Sequence, residues 1–255
     1  MPPRSTRLST NDEGPELARE GLERLRGKFI VFDGVDGSGK GVQIRLLTEE
    51  LTAAGIECVS TRDPGGTPIG DRIRHVLLDY DLSEMDVRCE ALLFMASRAQ
   101  LAGQILEPTI AEKKKCLIVD RYVSATCAYQ GAAGHDPKRI IQLAKFAIGK
   151  TWPDLTVVLD VPPETAAQRT ARKTQAQRKK EQKYKNRSLE GHPNLFQDVH
   201  TDAMEARPAE FHQRVRELFL ELPSFYPAPV AIVDGQGTEA EVHVRVMEAL
   251  AHAAL

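Results

Sequence analysis

A chain of 255 residues, 42% hydrophobic and 27% charged, has the composition of an ordinary soluble protein and is long enough to bury a substantial core, as one large α/β domain or two small ones. A net charge of -2 argues against a general nucleic-acid binder, and no apolar run is long enough to span a bilayer. The four cysteines, Cys58, Cys89, Cys116 and Cys127, show no C-x-x-C spacing, which suits buried thiols in a reducing compartment better than zinc ligands or disulfides. With no signal-peptide hydrophobic region at the N-terminus, a cytoplasmic protein is expected.

Residues 1–26 are polar, with Pro2, Pro3, Gly14 and Pro15, and read as a loose tail ending in a short helix from Glu16 to Arg26. The organising stretch follows at Lys28–Gly41. A strand from Phe29 to Asp33 runs into the loop Gly34, Val35, Asp36, Gly37, Ser38, Gly39, then Lys40 and Gly41. Glycines there let consecutive backbone N–H groups turn inward on an anion, and the helix expected over Val42–Ala54 would aim its positive end at the same place. Lys40 supplies a point charge for β- and γ-phosphate oxygens, so residues 34–41 are read as an ATP-phosphate site. The position after the lysine, normally a hydroxyl residue that binds Mg²⁺, is Gly41.

Beyond Gly55, Ile56–Arg62 reads as a second strand, DPGGTPIG (Asp63–Gly70) as a loop and Asp71–Leu78 as a helix. Cys89–Leu106 has helical apolar spacing and places Phe94 and Arg98 four residues apart on one face, with Pro108 just past it. Strands are expected at Cys116–Arg121, Asp154–Val161 and Val230–Asp234, and helices at residues 138–149 and 239–254. Strands alternating with helices predict a five-stranded parallel sheet with helices on both faces and its ligands at the carboxyl ends of the strands. Asp120, at such an end, is the candidate to hold Mg²⁺. Between Arg169 and Arg187 stand nine basic residues and one acid, Glu181. The run fits a solvated helix face, a basic arm, or a lid over phosphates spanning about 164–206.

Five stretches in a fixed order, FDGVDGSGK, TRDPGGT, LLFMASRAQ, DRYVSATCAYQG and PDLTVVLDVPPETAAQR, together resemble the thymidylate kinases, of the P-loop nucleoside monophosphate kinase class. The resemblance runs from about Lys28 to the C-terminus, where Glu210–Leu222 is similar to the family's penultimate helix. It implies a three-layer P-loop fold over residues 27–255, with the lid as an excursion. The implied reaction takes ATP and dTMP, with Mg²⁺, to dTDP for dTTP synthesis, in a homodimer that pairs through helices.

By the same resemblance Asp36 contacts the sugar 3'-hydroxyl of dTMP, and Arg62 and Arg121 hold or flank the acceptor phosphate. Phe94 stacks on thymine, Arg98 faces the base edge, Tyr129 lies beside the deoxyribose and Gln130 extends that pocket. Gly37 stands where some members carry an arginine, which implies a catalytic arginine from the lid, among Arg169, Arg172 and Arg187. Lys40, Arg121 and Asp120 complete the expected catalytic set. Ser97 and Ala125 depart from the family's usual Asp or Asn and Ser. The alternatives are a kinase for another nucleotide or deoxynucleoside, or a nucleotide-binding regulatory protein with a degenerate magnesium site. Arg98→Ala is expected to lower activity on dTMP with the fold intact, through loss of a charge-assisted contact of about 1.5–3 kcal/mol.

Overall fold

The structure is a computed structural model that describes residues 21–78, 84–172 and 207–253. Its core is a five-stranded, all-parallel sheet in the order β2-β3-β1-β4-β5, with β1 at Phe29–Asp33, β2 at Cys58–Arg62, β3 at Cys116–Asp120, β4 at Leu155–Asp160 and β5 at Val230–Asp234. Every residue of β1 is buried, as a central strand covered on both faces must be. Alternate side chains divide between two cores. Ile30 and Phe32, with Ile118, Val157 and Leu159, pack under helices α1 (Lys40–Ala53) and α9 (Glu239–His252). Phe29 and Val31, with Leu117, Val119 and Val158, face the opposite layer.

That second layer comprises α2 (Pro68–Leu78), α3 (Val87–Leu101), α4 (Glu107–Glu112), α5 (Val123–Ala132), α6 (Pro137–Ile148) and α8 (Ala209–Glu221), while the helical residues 163–172, α7, follow β4. Full burial of side chains such as Leu47 and Leu51 on α1 contributes about 1.5–3 kcal/mol each, which fastens the helix behind the phosphate loop to the sheet. No described helix is long and apolar enough to cross a membrane.

Several boundaries differ from the sequence expectation for identifiable reasons. Helix α1 starts at Lys40, two residues early, because Gly39 takes a left-handed conformation with φ 101° and ends the loop there. Strand β2 starts at Cys58, since the Ile56 N–H still closes the end of α1 on Leu51 O at 2.8 Å. The helix expected through Leu106 gives way at Leu101 to a π-helical turn, Ala102–Leu106, and resumes as α4. Pro108 lacks an N–H and its ring crowds the preceding turn, and the wider π turn accommodates it without ending the helical run. Helix α5, unassigned from the sequence, forms over VSATCAYQGA, in which eight of ten residues are buried. Leu22 and Leu25, placed in the polar tail by composition, are buried in the core under α1 and α9. Most of the expected tail and most of the lid, with Arg187, lie outside the described residues.

Parallel pairing lines up the strand ends. Arg62 lies level with Asp120, Phe32 with Asp120, and Asp160 with Asp234. From β1 the chain passes to β2 beyond β3, and from β3 it crosses back over β1 to β4; this reversal of direction opens a crevice at the carboxyl end of β1.

Candidate active site

The loop after β1 lines a cleft of about 750 Å³ through Asp36, Gly37, Ser38, Gly39, Lys40 and Gly41, closed on its other sides by Asp120, Arg121, Arg169, Gly235 and Gly237. Gly34 and Val35, expected in the same site, act through their carbonyls. Each accepts a hydrogen bond from Lys40 Nζ at 3.0 Å. Burial and the neighbouring Arg121 lower the Lys40 pKa, against the pull of Asp36, Asp120 and Asp33. The ammonium is thus held over the loop on two carbonyls, a partner set that a phosphate oxygen can replace. Ser38 Oγ is buried without a hydrogen-bond partner in the same loop.

Gly37 cannot carry a side chain. Its φ is 81°, and a Cβ there would meet Ala166 O at 2.2 Å and Thr170 Oγ1 at 2.8 Å. Helix α7 therefore rests directly on the phosphate loop, and this contact brings Arg169 to the cleft, where Nη1 donates to Gly235 O at 3.1 Å. Arg172 is exposed on the same helix and lies outside the cleft lining. Gly41 presents the opposite case, because nothing lies within 4 Å of a Cβ built on it.

A second pocket adjoins the first. Phe94, Arg98, Ala125, Thr126, Tyr129 and Gln130 line it, and Asp36, Asp63, Arg74 and Arg121 line both. Helices α3 and α5 supply its walls, which is how residues far apart in sequence come to face one ligand. Arg121 stands at the junction. Its φ of 68° is left-handed, uncommon for a side chain of this size, and follows from its N–H bonding Phe32 O at 2.9 Å where β3 ends. The guanidinium then reaches Asp33 at 3.2 Å, Gly34 O at 3.0 Å and Tyr129 Oη at 3.1 Å, and it pairs closely with Asp36. Tyr129 Oη donates to the other Asp36 oxygen at 2.7 Å.

Two carboxyl groups meet that guanidinium with their pKa values moved in opposite directions. Burial raises the pKa of Asp33 above the usual carboxylate range, against Arg121 and the Ser124 hydroxyl donating at 2.7 Å. For Asp36 burial acts the same way but is outweighed by Arg121, Lys40 and Tyr129, and its carboxyl is held far below the usual range.

Arg98 differs from its expectation in one respect. It does line the second pocket, but it is 1% exposed, and Nε pairs with the buried Asp63 at 2.5 Å. Nη2 donates to Tyr122 O at 3.0 Å and to Thr126 Oγ1 at 2.9 Å. A guanidinium so embedded holds β2, α3 and α5 together, so its removal disturbs the fold as well as the pocket, a correction to the expectation of an intact Arg98→Ala protein. Arg62 is exposed, pairs with Asp71 at 3.5 Å and lines the phosphate cleft. The described arginines that border the second pocket are Arg74, Arg98 and Arg121. Arg74, overlooked in the sequence, donates to Pro64 O at 3.0 Å, and its position one turn into the helix after DPGGTPIG was the available signal. Asp33 was read only as a strand end, and its contact with a residue 88 positions away left no local signal. Ser97 is buried and accepts the Gly65 N–H at 3.1 Å, which anchors the DPGG loop.

A glycine-rich loop after a parallel strand, with a lysine over it and an arginine shared with a second pocket, is the arrangement of a P-loop phosphotransferase. The family model for thymidylate kinase matches residues 32–199. A thymidylate kinase of Pelotomaculum thermopropionicum is 36% identical over 226 residues, covering 88% of this chain and 93% of that protein. One of Symbiobacterium thermophilum is 39% identical over 216 residues, 84% of this chain and 88% of the other. The crystal structure of thymidylate kinase from Ehrlichia chaffeensis superposes with a TM-score of 0.63 at 26% identity, covering 88% of this chain and 98% of that one. The chain belongs to the thymidylate kinase family.

Proposed function

We propose that the protein transfers the γ-phosphoryl group of ATP to dTMP, giving ADP and dTDP, with ATP in the larger cleft and dTMP in the adjoining pocket. The observation that carries this arrangement is Arg121, which lines both cavities and is fixed by Asp33, Asp36 and Tyr129 at their junction. An oxygen of the dTMP phosphate attacks the γ-phosphorus as the bond to the β–γ bridging oxygen breaks. Negative charge grows on the oxygens in flight, and Lys40, Arg121 and Arg169 surround that space, already oriented by loop carbonyls and carboxylates. Phe94 supplies an aromatic face for the base, Arg98 and Gln130 its polar edge, and Tyr129 with Asp36 the sugar side.

The residues fit a magnesium ion. Asp120 Oδ1 is buried without a hydrogen-bond partner at the end of β3, and the space beside Gly41 is open. Asp120 would hold the ion, which when bound neutralises the phosphates and steers the transferring group. With no hydroxyl at Gly41, the ion would depend on Asp120, the phosphates and waters.

Apolar side chains left in water suggest the pairing surface of a homodimer. Ile69 and Val76 on α2, Leu92 on α3 and Phe146 on α6 are all exposed, Phe146 at 91%, on helices packed side by side. Sedimentation of wild type and Leu92→Lys tests it, a dimer converted to monomer being the expected result. A soluble cytoplasmic enzyme is the matching expectation for its location.

The test of function is dTDP formation from ATP and dTMP with Mg²⁺, alongside dUMP, dCMP and dGMP as acceptors. Turnover strongest on dTMP is expected, and loss of at least about a hundredfold in Arg121→Met. Equal turnover on every acceptor, or full activity in that variant, would refute the assignment.

A further inference from the structure

Glu90 takes no part in the phosphoryl-transfer machinery, yet its residue is only 3% exposed, on the first turn of α3 behind the acceptor pocket. A buried carboxylate is costly unless paired and hydrogen-bonded. Arg207, just ahead of α8, provides the pairing. Its Nη2 lies 3.2 and 3.1 Å from the two Glu90 oxygens, and its guanidinium sits over the Phe211 ring at 4.8 Å. Phe211 in turn packs against Tyr129, with ring centroids 6.3 Å apart. The remaining contact of Glu90 is the informative one. Its Oε1 accepts a hydrogen bond from Gln130 Nε2 at 3.2 Å.

A carboxylate only accepts, so this bond decides which end of the Gln130 amide is which. The NH₂ group faces Glu90, and the amide oxygen is left for whatever occupies the pocket that Gln130 lines. Arg98 lines the same pocket, and its Nη1 has as its hydrogen-bond partner the Met95 sulfur at 3.3 Å, a weak acceptor. An oriented acceptor and a fixed donor therefore border one cavity.

We propose that Glu90, charge-balanced by Arg207, is a positioning residue that fixes Gln130 with its amide oxygen toward the acceptor base. The pocket then selects a ring N–H beside a carbonyl over a bare ring nitrogen beside an amino group. The inference rests on the reading of this pocket as the acceptor-base site. Thymine presents the first pattern and cytosine the second. Against a fixed oxygen, cytosine sets two lone pairs against each other, and against Arg98 it sets two donors. An amide free to turn would swing its NH₂ group inward and accept cytosine, so the selectivity depends on Glu90 although Glu90 touches no ligand.

The experiment compares kcat/KM for dTMP and dCMP in wild type, Glu90→Met, Gln130→Met and the double variant, with Arg207→Gln as a milder perturbation near the surface. Glu90→Met is expected to lower the dTMP-to-dCMP ratio about tenfold, the worth of one hydrogen bond, mainly through KM. Gln130→Met should lower it at least as far, and the double variant no further than Gln130→Met alone, because Glu90 acts through that amide. Arg207→Gln should shift the ratio the same way by a smaller factor, which keeps the test valid if Glu90→Met folds poorly. An unchanged ratio in Glu90→Met and Arg207→Gln, or additive losses in the double variant, overturns the proposal. A wild type indifferent to the two acceptors instead removes the acceptor-site reading itself and this inference with it, and that failure is seen before any variant is made.

Discussion

Replacing Arg98 by Met tests the structure where it departs most from what the sequence suggests. Arg98 is 1% exposed and Asp63 is 2% exposed, so the variant leaves a carboxylate in the interior without its cation, and Tyr122 O and Thr126 Oγ1 without their donor. Breaking one side of a buried pair costs about 3–5 kcal/mol, a large share of a typical folding stability. Two further features identify the cause. Asp63 already has a raised pKa, chiefly from burial and against the pull of Arg98, so without Arg98 it rises further. A carboxyl whose folded pKa is raised takes up a proton more readily when folded, and its stability contribution falls as pH rises through the unfolded and then the folded value. The loss in Arg98→Met should therefore be smaller at pH 5 than at pH 8. Adding Asp63→Asn should recover about 1–3 kcal/mol, since the stranded charge is gone. Urea titrations followed by circular dichroism at both pH values measure all three quantities. A loss below about 1 kcal/mol, or one independent of pH and of residue 63, would mean that the pair does not hold β2 to α3 and α5.

Gly41→Ala should stabilise the protein by about 0.5–1 kcal/mol, because the position is helical and open, and a thermal melt reads this directly. Gly41→Ser should in addition lower the Mg²⁺ concentration for half-maximal binding, measured by calorimetry with ATP present, and an unchanged value would show that a hydroxyl there does not reach the ion. Gly37→Ala should weaken the fold by roughly 1–3 kcal/mol and lower turnover, since its Cβ meets Ala166 O and the φ is unfavourable. Full activity and stability in that variant would place α7 away from the loop. Asp36 ionises far below the usual range, so it contributes stability that is present above the unfolded carboxylate pKa and is lost as pH falls through the folded value. Asp36→Asn should accordingly flatten the acid limb of the stability profile below about pH 4, and an unaltered limb would contradict the pairing with Arg121.

The phosphate loop was legible in the sequence because its chemistry is local. Gly34, Gly37, Gly39 and Lys40 lie within seven consecutive residues, and strand and helix periodicities on either side place them at a helix N-terminus. The three inner strands, β1, β3 and β4, were readable for a similar reason, since a strand buried on both faces must be a short apolar run. What stayed hidden was set by approach in space. Gly37 was read as one of the loop glycines, and only the seating of α7 shows that a backbone carbonyl occupies the room a side chain would need. Arg98 was read as a pocket arginine beside Phe94, and nothing near it in sequence shows that Asp63, 35 residues earlier, closes over it as a buried partner.

The sequence by itself determined the fold class and the succession of the five strands along the chain, because apolar period and glycine spacing are properties of neighbouring residues. Only the tertiary structure decided how the polar groups are shared. Asp33 and Asp36 differ by three positions yet have pKa values shifted in opposite directions, and Gln130 donates its amide NH₂ to a glutamate 40 residues earlier. Burial and partnership fix such states, and both depend on which distant segments the sheet brings together.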